Sequence, residues 1–467
     1  MKKTKIIATL GPASESPEMI ETLIKAGANV FRLNFSHGSH AEQGLRIDNV
    51  RNISKKLDIH VGILADLQGP KIRIAEYDGF LHKGEEVVLV CGKATGVEIP
   101  VQYLGLCKDV KVGDSLLLDD GLIDIKVVRV EGARITCKVI NGGKLTSKKG
   151  INLPTGTITA DVITEKDRED ARFALSKGAD FLALSFVRDA QDILELREII
   201  QKSTNPLARI VAKIERHEAV KNFEEILASA DAIMVARGDL GIEVSQQKVP
   251  LLQKQMVKRC LAVGKPSIVA TQMLDSMIRN PRSTRAETSD IANAILDGAD
   301  AVMLSGETAN GKFPRESVRA MNRIALDTEA WITEQKMNIG SSVKRDTRSV
   351  SDAIAQSAVA LARETGSRYL VAATTSGNTA ISVAKFRPNQ MLFASTDNET
   401  TARRLSLSWG ISPQVINFLD NRELMSKLEL MLKDAKLLKS GDKVTLVSGI
   451  TRGKIGGTNM IRINVIE

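Results

Sequence analysis

GADFLALSF (178–186) and GADAVMLSGE (298–307) are near copies of one phrase, and GANVFRLN (27–34) and ADAIMVARGD (230–239) repeat it. Each opens on small residues, passes through a short apolar run and ends on polar or charged side chains. Each also follows a helix-like stretch, so it reads as a helix C-cap, a turn and a buried parallel strand. The residues at the ends of the runs are Arg32 and Asn34, Ser185, Arg237 and Asp239, and Ser305 and Glu307. Buried strands that finish in charged groups predict a barrel whose chemistry sits at one rim.

The rest of the chain extends this rhythm. From 4 to 66 strands and helices alternate: KIIATLG, a helix near 17–26, VFRLNFS, a helix near 40–57, then HVGILADL. Over 71–162 the texture changes to short β-rich runs (EEVVLV, DSLLLDD, LIDIKVVRV, ARITCKVI) divided by Gly and Asp-Gly turns, which predicts an inserted all-β domain. The alternation resumes over 164–331 with FLALSF, RIVAKIE, AIMVAR, PSIVAT and AVMLSG. With the three earlier strands these make eight, so the expected fold is a TIM (β/α)8 barrel interrupted after its third strand. A polar linker is expected at 332–346. A third, α/β domain then begins with the helix AIAQSAVALARETG and continues through YLVAATTSG, MLFASTD, KVTLVSG and NMIRINVIE. The expected domains are therefore 1–69 and 164–346 for the barrel, 70–163 for a β-barrel-like lid, and 347–467 for a C-terminal α/β regulatory domain.

Composition narrows the function. The 467 residues carry 65 Lys and Arg against 56 Asp and Glu, a formal charge of +9, and only 3% aromatics. The basic residues are dispersed and few aromatics are available for stacking, which favours small anions over nucleic acid. Cys91, Cys107, Cys137 and Cys260 form no CxxC pair, as expected for a reduced, cytoplasmic protein. The five histidines make no zinc set, and His37 and His40 are expected to be solvated or locally bonded. MKKTKIIATLGP imitates an export signal, but its apolar core is only IIATL, and no stretch approaches a membrane span.

Chemistry concentrates at the strand ends. Lys213 and Glu215 stand at i and i+2 and share a face. Arg237 and Asp239 are expected to continue that pairing one strand later, as do Arg32, Asn34 and Ser36. The carboxylates Glu215 and Asp239 suit a hard divalent ion such as Mg2+ (or Mn2+). Cations beside such an ion imply a substrate with several negative charges, as phosphoryl transfer requires. Asp66 closes the third strand with Arg73 just beyond it, Lys148 and Lys149 lie where the insertion returns, and Thr271 and Gln272 end the seventh strand.

Eight segments in order carry a resemblance: RLNFSHG (32–38), DLQGPKIR (66–73), SKKGINLP (147–154), VAKIERHEAV (211–220), VARGDLG (235–241), ATQMLDSM (270–277), STRAET (283–288) and MLSGETANGKFP (303–314). Together they resemble the pyruvate kinase family almost end to end. The resemblance implies transfer of a phosphoryl group from phosphoenolpyruvate to ADP, giving pyruvate and ATP. It implies Glu215 and Asp239 as Mg2+ ligands, with Lys213, Arg32 and Arg73 facing phosphate. The Gly238 backbone and the Thr271 hydroxyl would hold the substrate carboxylate, and Asn34, Ser36, His37 and Lys149 would make nucleotide-side contacts. The proton for enolpyruvate would arrive through water near Thr271. A homotetramer is also implied.

One departure and one further resemblance refine that picture. Members that require K+ carry Thr, Lys and Glu where this chain has Leu67, Gln68 and Lys71. Asn34, Ser36, Asp66 and the Leu67 carbonyl remain as potential K+ ligands, yet Lys71 offers an ammonium in place of the ion, so activity without K+ is expected. TTSGNTA (374–380), with Thr374, Thr375, Ser376, Gly377, Asn378 and Thr379, resembles the effector loop of regulated members and predicts activation by a phosphorylated metabolite. GITRGKIGGTNMIRI (449–463) resembles the family's terminal loop and strand. The rival readings are another Mg2+-dependent barrel enzyme acting on phosphoenolpyruvate (a mutase or lyase), or a basic RNA-binding protein.

Overall fold

A computed structural model describes residues 2–154, 156–337, 339, 349–418, 420–449 and 457–467. Eight parallel strands close into a barrel: Lys5–Leu10, Val30–Asn34, Gly62–Asp66, Phe181–Leu184, Arg209–Ile214, Ala232–Ala236, Ser267–Ala270 and Ala301–Leu304. The glycine that opens the repeated phrase caps the preceding helix. Gly27, with φ +119, ends the helix Pro17–Ala26, and Gly298, with φ +96, ends Arg285–Asp297. Only a residue free of a Cβ adopts that backbone cheaply. Helix starts are equally explicit: Ser39, Thr164 and Thr284 each form a capping box with the acid three residues on, a device worth about 1 kcal/mol.

Strand parity sets the interior. Ile7, Val30, Leu64, Ala183, Val211, Met234, Ile268 and Met303 pack with one another inside the barrel, while residues of opposite parity, such as Ile6, Phe31 and Ile63, pack against the surrounding helices. Stepping by two from the interior set leads to Arg32, Asp66, Ser185, Lys213 and Glu215. A polar layer therefore lies directly above an apolar floor, at the carboxyl ends of the strands. Leu407, from the third domain, joins the same interior cluster and closes the opposite end.

After the third strand the chain leaves for a β domain with its own core around Leu89, Leu116, Ile125, Ile135 and Cys137. It holds a six-stranded and a two-stranded sheet and one short helix, Leu106–Asp109. The third domain is a five-stranded sheet. Its edge strand Ile411–Val415, which pairs with Met391–Thr396, is absent from the expected set because Pro413 weakens its signal. An edge tolerates that proline.

The third domain sits on the amino-terminal ends of the barrel strands. Arg387 pairs with Asp300 at 3.1 Å, Arg403 with Asp180 at 3.0 Å, and Lys5 Nζ donates to the Ile411 carbonyl at 2.6 Å. The helix Pro314–Glu334 extends into the start of the linker expected at 332–346. The boundary at 346/347 and residues 450–456 of the terminal loop lie outside the described residues. Among the described residues, no helix is long and apolar enough to cross a membrane.

Candidate active site

The polar layer is a connected network. Arg32 Nε donates to Asp66 Oδ2 at 2.6 Å, and its Nη1 donates to Thr9 Oγ1 at 3.1 Å. Lys213 Nζ lies 3.3 Å from Asp66 Oδ1, 2.9 Å from Glu215 Oε1 and 2.7 Å from Ser185 Oγ. Ser185 in turn donates to the Leu67 carbonyl at 2.7 Å, and the Phe186 amide donates to Glu215 Oε2 at 2.8 Å. Asp66 and Glu215 are each only 1% exposed, so these charges depend on one another.

Burial and pairing pull in opposite directions here. Burial alone would depress the Lys213 ammonium, but Asp66 and Glu215 outweigh it and hold its pKa above the ordinary lysine value. Burial would likewise raise Asp66, yet Lys213 and Arg32 keep it below the usual carboxylate range. Glu215 goes the other way. Burial raises its pKa, Lys213 offsets this only in part, and the nearby charge of Asp239 raises it further. Two carboxylates close enough to repel, one of them buried and under-compensated, form a donor set that could hold a divalent cation.

Asp239 reaches this position differently from the expectation. The sixth strand stops at Ala236, and Arg237–Glu243 is a helix, so Arg237 and Asp239 are not a strand pair sharing a face. Arg237 turns away and pairs with Asp290 at 2.7 Å. Gly238 donates its amide to Thr271 Oγ1 at 2.8 Å, which places these two predicted residues together. Thr271 and Gln272 lie beyond the seventh strand, both at positive φ.

The remaining candidates have other partners. Asn34 Oδ1 accepts from the Ser36 amide at 3.1 Å, and His37 is exposed. Arg73 donates to the Lys148 carbonyl at 2.8 Å, and Lys149 pairs with Asp119 at 2.7 Å, both at the root of the inserted domain. Lys71, half-buried, lies between the third strand and Arg73. His40, expected to be solvated or local, is exposed, and it also pairs with Asp170 at 2.7 Å and stacks on Phe173 with ring centroids 4.3 Å apart. Glu307 is buried and accepts the amides of Leu274 and Ser305, so it shapes the rim rather than lining the pocket. Ser185 and Thr9 are the members of the network that motif reading left without a role, and Ser185 was the one with a signal. Its place at the end of FLALSF, in step with the interior positions, was the available signal. In the third domain, Thr374 Oγ1 accepts from the Gly377 amide at 2.9 Å, and the Thr375 carbonyl accepts from Thr401 Oγ1 at 2.9 Å.

The inserted domain touches the barrel beside this site. Asn152 Nδ2 donates to Glu243 Oε1 at 3.2 Å, and Glu243 Oε2 lies 3.3 Å from His217 Nδ1. Glu243, on the helix that carries Asp239, thus links the returning β segment to the helix His217–Lys221 that follows Glu215.

Comparison with known proteins agrees with this geometry. The family model described as pyruvate kinase, barrel domain, matches residues 1–318, and that described as pyruvate kinase, alpha/beta domain, matches 352–464. Pyruvate kinases of Staphylococcus aureus strains MRSA252 and USA300 are 45% and 44% identical over 474 aligned residues, covering 100% of this chain and 81% of each relative. A crystal structure of a pyruvate kinase from Cryptosporidium parvum superimposes with a TM-score of 0.93 at 36% identity, covering 100% of this chain and 96% of that one. An eight-stranded barrel with its ionic layer at the carboxyl rim, an inserted β domain and a C-terminal α/β domain are thus matched over the whole length, and the chain belongs to the pyruvate kinase family of phosphotransferases.

Proposed function

We propose that the chain transfers the phosphoryl group of phosphoenolpyruvate to ADP at the carboxyl rim of the barrel, forming ATP and pyruvate. The observation that carries this reading is the buried Arg32–Asp66–Lys213–Glu215 network, with Asp239 raising the Glu215 pKa. Glu215 and Asp239 would hold Mg2+ or Mn2+, which when bound supplies positive charge to the substrate's phosphate and carboxylate oxygens. Lys213 places a fixed ammonium where the equatorial oxygens of the moving phosphoryl group gather charge. Arg32 and Arg73 bind phosphate oxygens. Gly238 and Thr271 orient the carboxylate of the three-carbon acid, and water beside Thr271 delivers a proton to the methylene carbon of the enol. Asn34, Ser36, His37 and Lys149 line the nucleotide side, and the inserted domain closes over them as a lid.

Lys71 is what supports K+ independence, and the potential K+ ligands, although they could still take the ion, already have partners. Both Asp66 oxygens face cations, the Leu67 carbonyl accepts from Ser185, and Asn34 Oδ1 accepts from Ser36. Lys71 supplies the fixed positive charge instead. Residues 374–379 cradle the phosphate of an activating metabolite, and the protein works in the cytoplasm as a homotetramer. ATP formation from phosphoenolpyruvate and ADP with Mg2+, lost on removing the metal, tests the reaction. Consumption of phosphoenolpyruvate without ATP would favour a mutase or lyase.

A further inference from the structure

Arg237 closes a strand-end phrase, yet among the described residues none of its hydrogen bonds reaches the ionic network. Its guanidinium turns instead to the loop after the seventh strand. Nη2 donates to the Thr271 carbonyl at 2.7 Å and lies 2.8 Å from Met273 Sδ, and Nε donates to the Ala270 carbonyl at 3.3 Å. Nη1 is anchored by Asp290 at 2.7 Å and by Gln253 Oε1 at 3.4 Å. The side chain is 12% exposed, so a planar fork is fixed on two consecutive carbonyls from inside the fold.

Those carbonyls flank a strained segment. Thr271 has φ +69 and Gln272 φ +55. For a β-branched residue the left-handed region is an outlier, and such backbone persists only where its surroundings enforce it. In this conformation Thr271 Oγ1 accepts the Gly238 amide at 2.8 Å and donates to the Ala270 carbonyl at 2.6 Å. Arg237 and Gly238 are consecutive, so one short stretch of chain grips the Thr271 backbone and meets its hydroxyl.

We propose that Arg237 is a positioning residue for the phosphoryl-transfer site: it holds Thr271 and Gln272 in left-handed backbone and thereby aims the Thr271 hydroxyl. This rests on the reading of Thr271 given above. A lysine at 237 keeps the charge but lacks the planar fork that holds Asp290 and both carbonyls at fixed angles at the same time. Misplacement of a reacting group by about 1 Å costs roughly a hundredfold.

The test measures kcat, the phosphoenolpyruvate KM and the activating Mg2+ concentration for Arg237→Lys, Thr271→Ala and the double variant. Arg237→Lys is expected to lower kcat about a hundredfold with the Mg2+ requirement unchanged, and the double variant is expected to be no slower than Thr271→Ala alone. Millimolar guanidinium is expected to restore part of the activity of Arg237→Ala, a second variant that stays informative if the lysine form fails to fold. Losses that multiply in the double variant, or an Arg237→Lys enzyme as fast as the parent beside a damaged Thr271→Ala, overturn the positioning role alone. A Thr271→Ala enzyme with full kcat overturns the underlying assignment of Thr271 and, with it, this role.

Discussion

Replacing Lys213 by methionine removes one charge from the pocket while keeping much of the apolar stem. Asp66 and Glu215, each 1% exposed, would be left with Arg32 as the remaining cation paired to the network. Breaking a buried ionic cluster by removing one partner costs about 3–5 kcal/mol of stability. Losing Lys213 also removes the main influence that lowers the Glu215 pKa, so that carboxyl moves further up. Without its ammonium opposite the moving phosphoryl group, kcat falls by about 10^3-fold or more, whereas the phosphoenolpyruvate KM changes less than about tenfold because the other contacts persist. A coupled assay following pyruvate gives both constants, and thermal unfolding with and without Mg2+ gives stability. Added Mg2+ is expected to restore part of the lost stability, since it places positive charge on Glu215 and Asp239 while Arg32 stays paired with Asp66. A Lys213→Met enzyme with kcat within tenfold of the parent would refute the reasoning.

Three further outcomes follow from other parts of the molecule. Activity in potassium-free, tetramethylammonium buffer is expected to stay within about twofold of that in K+, and Lys71→Glu is expected to make turnover K+-dependent; a large rate loss in the parent contradicts the role of Lys71. Ser376→Asp puts a negative charge in the loop at 374–379, so activation by sugar phosphates is expected to disappear while unactivated turnover stays the same; retained activation moves the effector site elsewhere. Burial lowers the Lys5 pKa to about 8 against an unfolded value near 10.5. The unfolded chain thus holds the extra proton between those limits, so this lysine makes stability rise with pH across about 8 to 10.5, by about 3 kcal/mol in all. Lys5→Met is expected to flatten that part of a denaturation-versus-pH curve, and an unchanged slope rules the contribution out.

The barrel was legible because its signal is repeated and local. Small residues that cap helices, followed by apolar strands, fix both the element type and the strand count, and period-two parity already aligned Arg32, Asp66, Lys213 and Glu215. What failed was the end of each strand. Nothing in AIMVARGD shows that Arg237 starts a helix, because the break comes from tertiary contacts with the Thr271 loop and with Asp290. His40 is exposed as expected, but its pairing with Asp170, 130 residues away, had no local signal. The edge strand Ile411–Val415 was hidden by its proline. The docking of Arg387, Arg403 and Lys5 under the barrel rests on long-range pairs that no periodicity announces.

In the proposed site Glu215 and Asp239 share one divalent ion. Mn2+ binding, followed by the loss of its free-ion paramagnetic resonance signal, tests this in the parent, Glu215→Gln, Asp239→Asn and the double variant. One tight Mn2+ per chain is expected, weakened at least about a hundredfold by either single change and little further by both. Tight binding that survives either substitution, or losses that simply add, would place the two carboxylates at separate sites and contradict the account.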